Sequence, residues 1–143
     1  RQEDPMDQAP SPPDPEALVA SMPFAVHVGV RVTEAGPDRV VGELDWAPER
    51  CTVAGMLHGG ALMTLADSLG AVCAFLNLPE GASTSTVSSS TNFLRALREG
   101  TLHGTSSPLQ AGRRFVVVQT DLRDDEGRLV GQVTQTQAVL LPT

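Results

Sequence analysis

The chain has 143 residues and a mass of 15.0 kDa, a size that suits one domain with one sizeable core. Its formal charge of -7 and isoelectric point near 4.8 argue against bulk nucleic acid or an anionic membrane surface as partner, because phosphate recognition needs clustered Lys and Arg. Any anion it binds has to be met locally.

Residues 1–15 are proline-rich, polar and acidic and can bury almost nothing, so this segment is expected to be disordered, with a single domain over 16–143. A short helix is expected from Pro15 to Met22, ended by Pro23. Val26, Val28, Val30 and Val32 alternate with His27, Gly29, Arg31 and Thr33, and this period-two pattern predicts a strand; Val40, Gly42, Leu44 and Trp46 predict a second. Residues 35–38 form the turn between them. A loop from Ala47 to Leu57 leads into a long apolar helix, HGGALMTLADSLGAVCAFL, closed by Pro79 and Gly81. Four more strands are expected near 83–95, 100–109, 113–123 and 128–140, with Glu99-Gly100 and the DDEG tetrapeptide at 124–127 as turns. One long helix with two strands before it and four after it cannot be an alternating βαβ fold. The pattern is α+β, with an antiparallel sheet covering the helix.

Leu62, Leu65, Ala66, Leu69, Val72, Cys73 and Leu76 fall on one face of the helix at helical spacing. The opposite stripe is Gly60, Met63, Asp67, Gly70, Ala71 and Ala74, small enough to admit another backbone or a slender ligand, so both faces are expected to be buried. Asp67 is the only formally charged side chain between Arg50 and Glu80. Burying a carboxylate is costly, and perturbed carboxylates concentrate at working sites, which makes Asp67 the first candidate for chemistry. A membrane span over Cys51–Pro79 would put Asp67, His58, three glycines between positions 59 and 70 and several hydroxyls into lipid; a helix wrapped by its own sheet explains the same pattern. Cys51 and Cys73 sit among apolar neighbours and nothing resembles a signal peptide, so a reducing cytoplasm is the expected home. The sequence has no HExxH, paired CxxC, P-loop, GxGxxG or GxSxG motif, and no metal or separate cofactor is expected.

The segment GMLHGGALMTLADSLGA, with a carboxylate nine positions after the histidine of HGG, is followed by STNFLRALREG and then GRRFVVVQTDLRDDEGRLVGQVTQT. Together these resemble the hotdog-fold acyl-CoA thioesterases of the PaaI-like (phenylacetate-degradation) group, over about Val28 to Leu140. The resemblance implies a central helix wrapped by an antiparallel sheet of five or six strands. It also implies a homodimer with two equivalent sites at the interface; pairing of dimers into tetramers is common in related folds. The implied reaction is hydrolysis of an acyl-CoA to acid and CoA, with CoA as part of the substrate rather than a cofactor. In such a site the amide of the first glycine, here Gly59, polarises the thioester carbonyl, and Asp67 is the nucleophile or the general base for water. A hydroxyl in the strand after the helix assists in several relatives, and Thr86 is the best match. The sequence departs from the group at Thr52, where many members carry Asn or Gln six positions before the histidine.

His58 and Asp67, nine positions apart on one helix, would be separated by roughly 13 to 14 Å along its axis and about half a turn around it, so they cannot grip one carbonyl together. If Asp67 acts near a glycine-rich helix start, that start has to come from a second helix, most economically the same one in a twofold-related subunit. Arg95, Arg113 and Arg114, a basic cluster after the helix on an acidic chain, are the expected contacts for CoA phosphates, with Arg98 a weaker candidate. Bland readings stand beside these: Asp67 capping a segment or pairing with Arg95 or Arg114, His58 orienting the helix start, and each arginine a solvated charge. Two other functions share the fold, a non-catalytic acyl-CoA or acyl-carrier-protein binding module and a hotdog dehydratase or hydratase.

Overall fold

The structure, a computed structural model, describes residues 13–143. Most of the segment expected to be disordered, residues 1–12, lies outside the described residues. Asp14 already caps a helix, accepting the Glu16 amide at 3.1 Å, and Pro15 opens α1 (Pro15–Ala20).

Pro23 does not merely end that helix. It occupies the first turn of a second one, α2 (Pro23–Val28), where its fixed φ suits the helix and its missing N–H has no role. Gly29, at φ 102°, then closes α2 by donating to Ala25 O and Val26 O, and the chain turns into β1 (Arg31–Ala35). The strand expected through Val26–Thr33 is therefore corrected: its first half is helix. Alternating valines cannot distinguish one short helical turn from a strand, and Pro23 and Gly29 decide the matter.

The later strands fall close to expectation: β2 (Val40–Asp45), β3 (Ser83–Phe93), β4 (Thr101–Ala111), β5 (Phe115–Arg123) and β6 (Leu129–Leu140). The long helix is α3 (Gly59–Phe75). It ends before Pro79, where Asn77 donates its side-chain amide to Cys73 O at 2.9 Å and Pro37 O at 2.7 Å. All six strands pair antiparallel in one sheet, in the order β1-β2-β4-β5-β6-β3. The sheet wraps α3, and β3 forms one of its edges.

Alternation along the strands fixes which residues meet the helix. Leu44, Leu102, Val116, Val118, Leu122 and Val133 point inward onto Leu62, Leu65, Leu69 and Val72 and form the core. Gly42 and Gly104 present no Cβ where one would strike Leu69, so the helix settles closely against β2 and β4. The opposite stripe of α3 is mixed. Gly70 and Ala74 are buried within the chain, whereas Gly60, Met63 and Asp67 are exposed on it.

Candidate functional site

The loop before α3 is pinned at several points. Trp46 Nε1 donates to Gly55 O at 2.9 Å, Leu57 N to Leu97 O at 2.8 Å and His58 N to Arg50 O at 2.9 Å. Ala54 and Gly55, both at positive φ, turn the chain sharply so that Thr52 faces the helix start. His58 is the N-cap of α3, and its Nδ1 accepts the Gly60 amide at 2.8 Å. While that bond stands Nδ1 carries no proton, so this histidine orients the helix start through one nitrogen and offers Nε2 as a donor. Gly60 N–H is thereby occupied. Gly59 N–H makes no hydrogen bond among the described residues and is the oriented donor left at the positive end of the helix dipole.

Two clefts flank this helix start. One, about 340 Å³, brings Thr52 and Gly59 together with Phe93, Leu94 and Arg95. A Cβ at residue 59 would lie 3.2 Å from the Phe93 ring, so glycine lets that ring approach the helix tip. The other, about 700 Å³, lies beside His58 and Thr64 and is bounded by Phe24 and His27 of α2 and by Cys51. Thus Thr52, His58, Gly59 and Arg95 gather at one end of α3.

Asp67 lies two turns further along, on the exposed stripe. Its Oδ1 accepts from Thr86 Oγ1 at 2.9 Å and from Gln135 Nε2 at 3.2 Å; its Oδ2 makes no hydrogen bond among the described residues. The alternative of an ion pair with Arg95 or Arg114 is not realised, since Asp67 has no salt bridge within the described chain. Thr86 in turn accepts from Gln137 Nε2 at 2.7 Å, and Gln137 Oε1 accepts from Thr84 Oγ1 at 3.1 Å. Sequence reading found Thr86 but missed Gln135 and Gln137. The signal was present: both are polar residues at inward positions of β6, between Val133 and Val139, where the alternation calls for apolar side chains.

The arginines do not form one cluster within the chain. Arg95 N bonds Val130 O, beside the Phe93↔Gly131 pair, whereas Arg114 O accepts Val139 N, beside Phe115↔Ala138↔Ser85. They sit at opposite ends of the sheet, and Arg113 and Arg114 line a separate cleft of about 450 Å³ with Phe115 and Thr136. No group of His, Cys, Asp and Glu that could hold a metal ion occurs among the described residues, and no helix there is long and apolar enough to cross a membrane.

A six-stranded antiparallel sheet wrapped around one long helix, with a glycine-rich start and an acid two turns on, is the hotdog architecture. The Thioesterase superfamily profile matches residues 54–131, and the chain belongs to that superfamily as a thioester hydrolase. Rv1847 of Mycobacterium tuberculosis (strain ATCC 25618 / H37Rv) is 36% identical over 129 residues, covering 87% of this chain and 92% of its own. The 1,4-dihydroxy-2-naphthoyl-CoA hydrolase of Escherichia coli (strain K12) is 36% identical over 86 residues, 60% of this chain and 63% of its own. Among solved structures, thioesterase HI1161 of Haemophilus influenzae superposes with a TM-score of 0.85 at 26% identity, covering 92% of this chain and 93% of that one.

Proposed function

We propose that this protein is an acyl-CoA thioesterase working as a homodimer, in which Asp67 of one subunit acts on a thioester whose carbonyl oxygen is held by the Gly59 amide of the other. The observation that carries this reading is the state of Asp67: a carboxylate fixed on one oxygen by neutral donors, paired with no cation among the described residues, and presented on the open stripe of α3. A charged group held so firmly yet left unpaired is arranged for work rather than for stability.

Asp67 and Gly59 are eight residues apart on α3, about 12 Å along the axis, too far for one acyl carbon to touch both. The unpaired edge of β3 supports a joined sheet. An eleven-residue strand presenting free backbone groups is a template for a second copy, and antiparallel pairing of two β3 strands sets the Ser83 end of one against the Phe93 end of the other. That arrangement lays the exposed Gly60, Met63 and Asp67 stripes against each other. It also carries Arg113 and Arg114 of the partner subunit toward the cleft that holds Gly59 and Arg95, so arginines remote within one chain converge on one CoA.

In the reaction the thioester carbon is attacked either by Asp67 Oδ2 or by a water whose proton Oδ2 takes. The electron pair of the C=O bond moves onto the oxygen at the Gly59 amide, then returns as the C–S bond breaks and CoA thiolate leaves to be protonated. In the first route a second attack, by water, opens the acyl anhydride. The dehydratase alternative finds no support here, because His58 gives its Nδ1 to the helix cap.

Subunit mixing tests the shared site. Asp67→Asn removes the acid, and Gly59→Pro removes the amide proton and presses a Cβ on the Phe93 ring 3.2 Å away, at a helix position that favours proline, after a His58 already in the extended conformation that a following proline requires. Each variant alone should be inactive toward CoA thioesters. Refolded together at equal amounts they should recover about a quarter of the parent rate, since half the dimers are mixed and each mixed dimer holds one intact site. No recovery, from variants that still dimerise, defeats the shared site.

A further inference from the structure

Two glutamines lie on the inward face of β6, each 1% exposed, in a layer built mainly of valine and leucine, where the other buried polar pair, Ser106 and Thr120, satisfies itself hydroxyl to hydroxyl. Gln137 is engaged at both ends: its Nε2 donates to Thr86 at 2.7 Å, and its Oε1 lies 3.1 Å from a Thr84 hydroxyl that also reaches Ala138 O at 2.8 Å. Gln135 is not. Its Nε2 points at Asp67 Oδ1, but its Oε1 is buried with no hydrogen-bond partner among the described residues. An orphaned buried acceptor destabilises a fold, so a residue kept there for packing alone would be better apolar.

The helix makes room for this carboxamide. Gly70 lies against it, and a Cβ at that position would collide with Oε1, Cδ and Nε2 of Gln135. Gly70 is in the middle of a seventeen-residue helix, where glycine is unfavourable relative to alanine, and its φ is helical. Two locally unfavourable choices, a glycine inside a helix and a glutamine inside a core, thus meet at one contact. Both become intelligible through the group that the glutamine touches.

We propose that Gln135, admitted by Gly70, is a positioning residue that holds the Asp67 carboxylate in its working orientation. This rests on the reading of Asp67 as the reacting acid. An exposed aspartate would otherwise rotate freely about two bonds. Here Oδ1 is gripped from two directions. Gln137 Nε2 donates to Thr86 Oγ1, Thr86 therefore gives its own proton to Asp67, and Gln135 closes on the same oxygen from the other side. Only Oδ2 is left to face the neighbouring subunit. Both donors are uncharged, so the orientation is fixed while the negative charge is kept.

The test uses the full chain, a CoA thioester that the parent hydrolyses, taken from hexanoyl-CoA and benzoyl-CoA, and release of free thiol. Gln135→Met, of similar volume but without a donor, should lower kcat about tenfold or more while KM changes less than about twofold, since misplacing a reacting group by about 1 Å costs up to about 10²-fold. Its melting temperature should hold or rise, because an unsatisfied acceptor has been removed from the core. Gly70→Ala should lower kcat similarly in the parent but have little further effect when Gln135 is already alanine, so the two changes are coupled rather than additive.

A Gln135→Met chain with parental kcat overturns the inference, as does one that melts several degrees lower or fails to fold, which would assign the glutamine to the core. Additivity of the Gly70 and Gln135 changes overturns it as well. Hydrolysis retained by Asp67→Asn instead removes the reading of Asp67 beneath it. Asp67→Asn dead with Gln135→Met fully active defeats the positioning role alone.

Discussion

Two aspartates in this molecule are held by different kinds of donor. Asp45, on the outer face of β2, receives both arms of the Arg31 guanidinium at 2.8 and 2.9 Å and the Thr101 hydroxyl at 2.9 Å. The Arg31 hydrogen bonds, then that of Thr101, pull its carboxyl down to about 2. Asp67 is held on one oxygen alone, by a hydroxyl at 2.9 Å and a carboxamide at 3.2 Å that carry no charge. A guanidinium fork orients a carboxylate and cancels it, which suits Asp45 as a tie between β1, β2 and β4. Neutral donors orient without cancelling, and only the second arrangement leaves a group able to attack a carbonyl or accept a proton. Placement, not the presence of an acid, separates structure from chemistry here.

If that contrast is right, the largest effect follows from removing the free charge. Asp67→Asn keeps the shape and the exposed setting, so stability should barely change, while turnover of CoA thioesters should fall by about 10²- to 10⁴-fold. Steady-state thiol release beside a melting curve separates the two, and parental turnover would erase the distinction between the aspartates. Gly59→Pro comes next. Loss of one oriented oxyanion donor lowers kcat by about 10²- to 10³-fold, and a smaller loss would mean that another donor holds the carbonyl oxygen. Thr86→Val keeps the β-branched shape and removes the hydroxyl that grips Oδ1. Hydrogen bonds to charged groups contribute about 1.5–3 kcal/mol, so kcat should drop roughly tenfold or more. An unchanged kcat would show that one donor suffices.

The comparison also explains what could be read from the sequence. Strands β2 to β6 and helix α3 were legible because alternation and helical spacing are local patterns, and Glu99-Gly100 and the DDEG tetrapeptide mark their own turns. Asp124 in that tetrapeptide accepts the amides of both Glu126 and Arg128 at 2.9 Å, and Gly127 supplies the positive φ. Asp67 stood out as a lone charge in an apolar run. What held it did not stand out, because Gln135 is 68 residues away and reaches it only through the β3–β6 register and the gap at Gly70. The separation of Arg95 from Arg113 and Arg114 was hidden for the same reason, since sequence nearness says nothing about which end of a sheet a residue occupies. At Val26 the pattern misled, because Pro23 and Gly29 can bound one helical turn as readily as they flank a strand.

The smallest expected effect tests the other half of the contrast. Asp45 titrates near about 2 in the folded chain and near about 3.9 when unfolded, so its ion pair stabilises fully above about pH 4 and loses that contribution as pH falls toward 2. Asp45→Asn should therefore lower the melting temperature at neutral pH, and the gap to the parent should close between about pH 4 and pH 2. Both side chains are about half exposed, at 50% and 45%, which limits the contribution to under about 1 kcal/mol, or a few degrees, less in high salt. Arg31 keeps Glu43 at 2.9 Å, so the variant leaves no unpaired cation behind. Turnover should be unaffected. A gap that persists at pH 2 would assign the loss to packing rather than charge, and a fall in kcat would bring the outer face of the sheet into the working of the site.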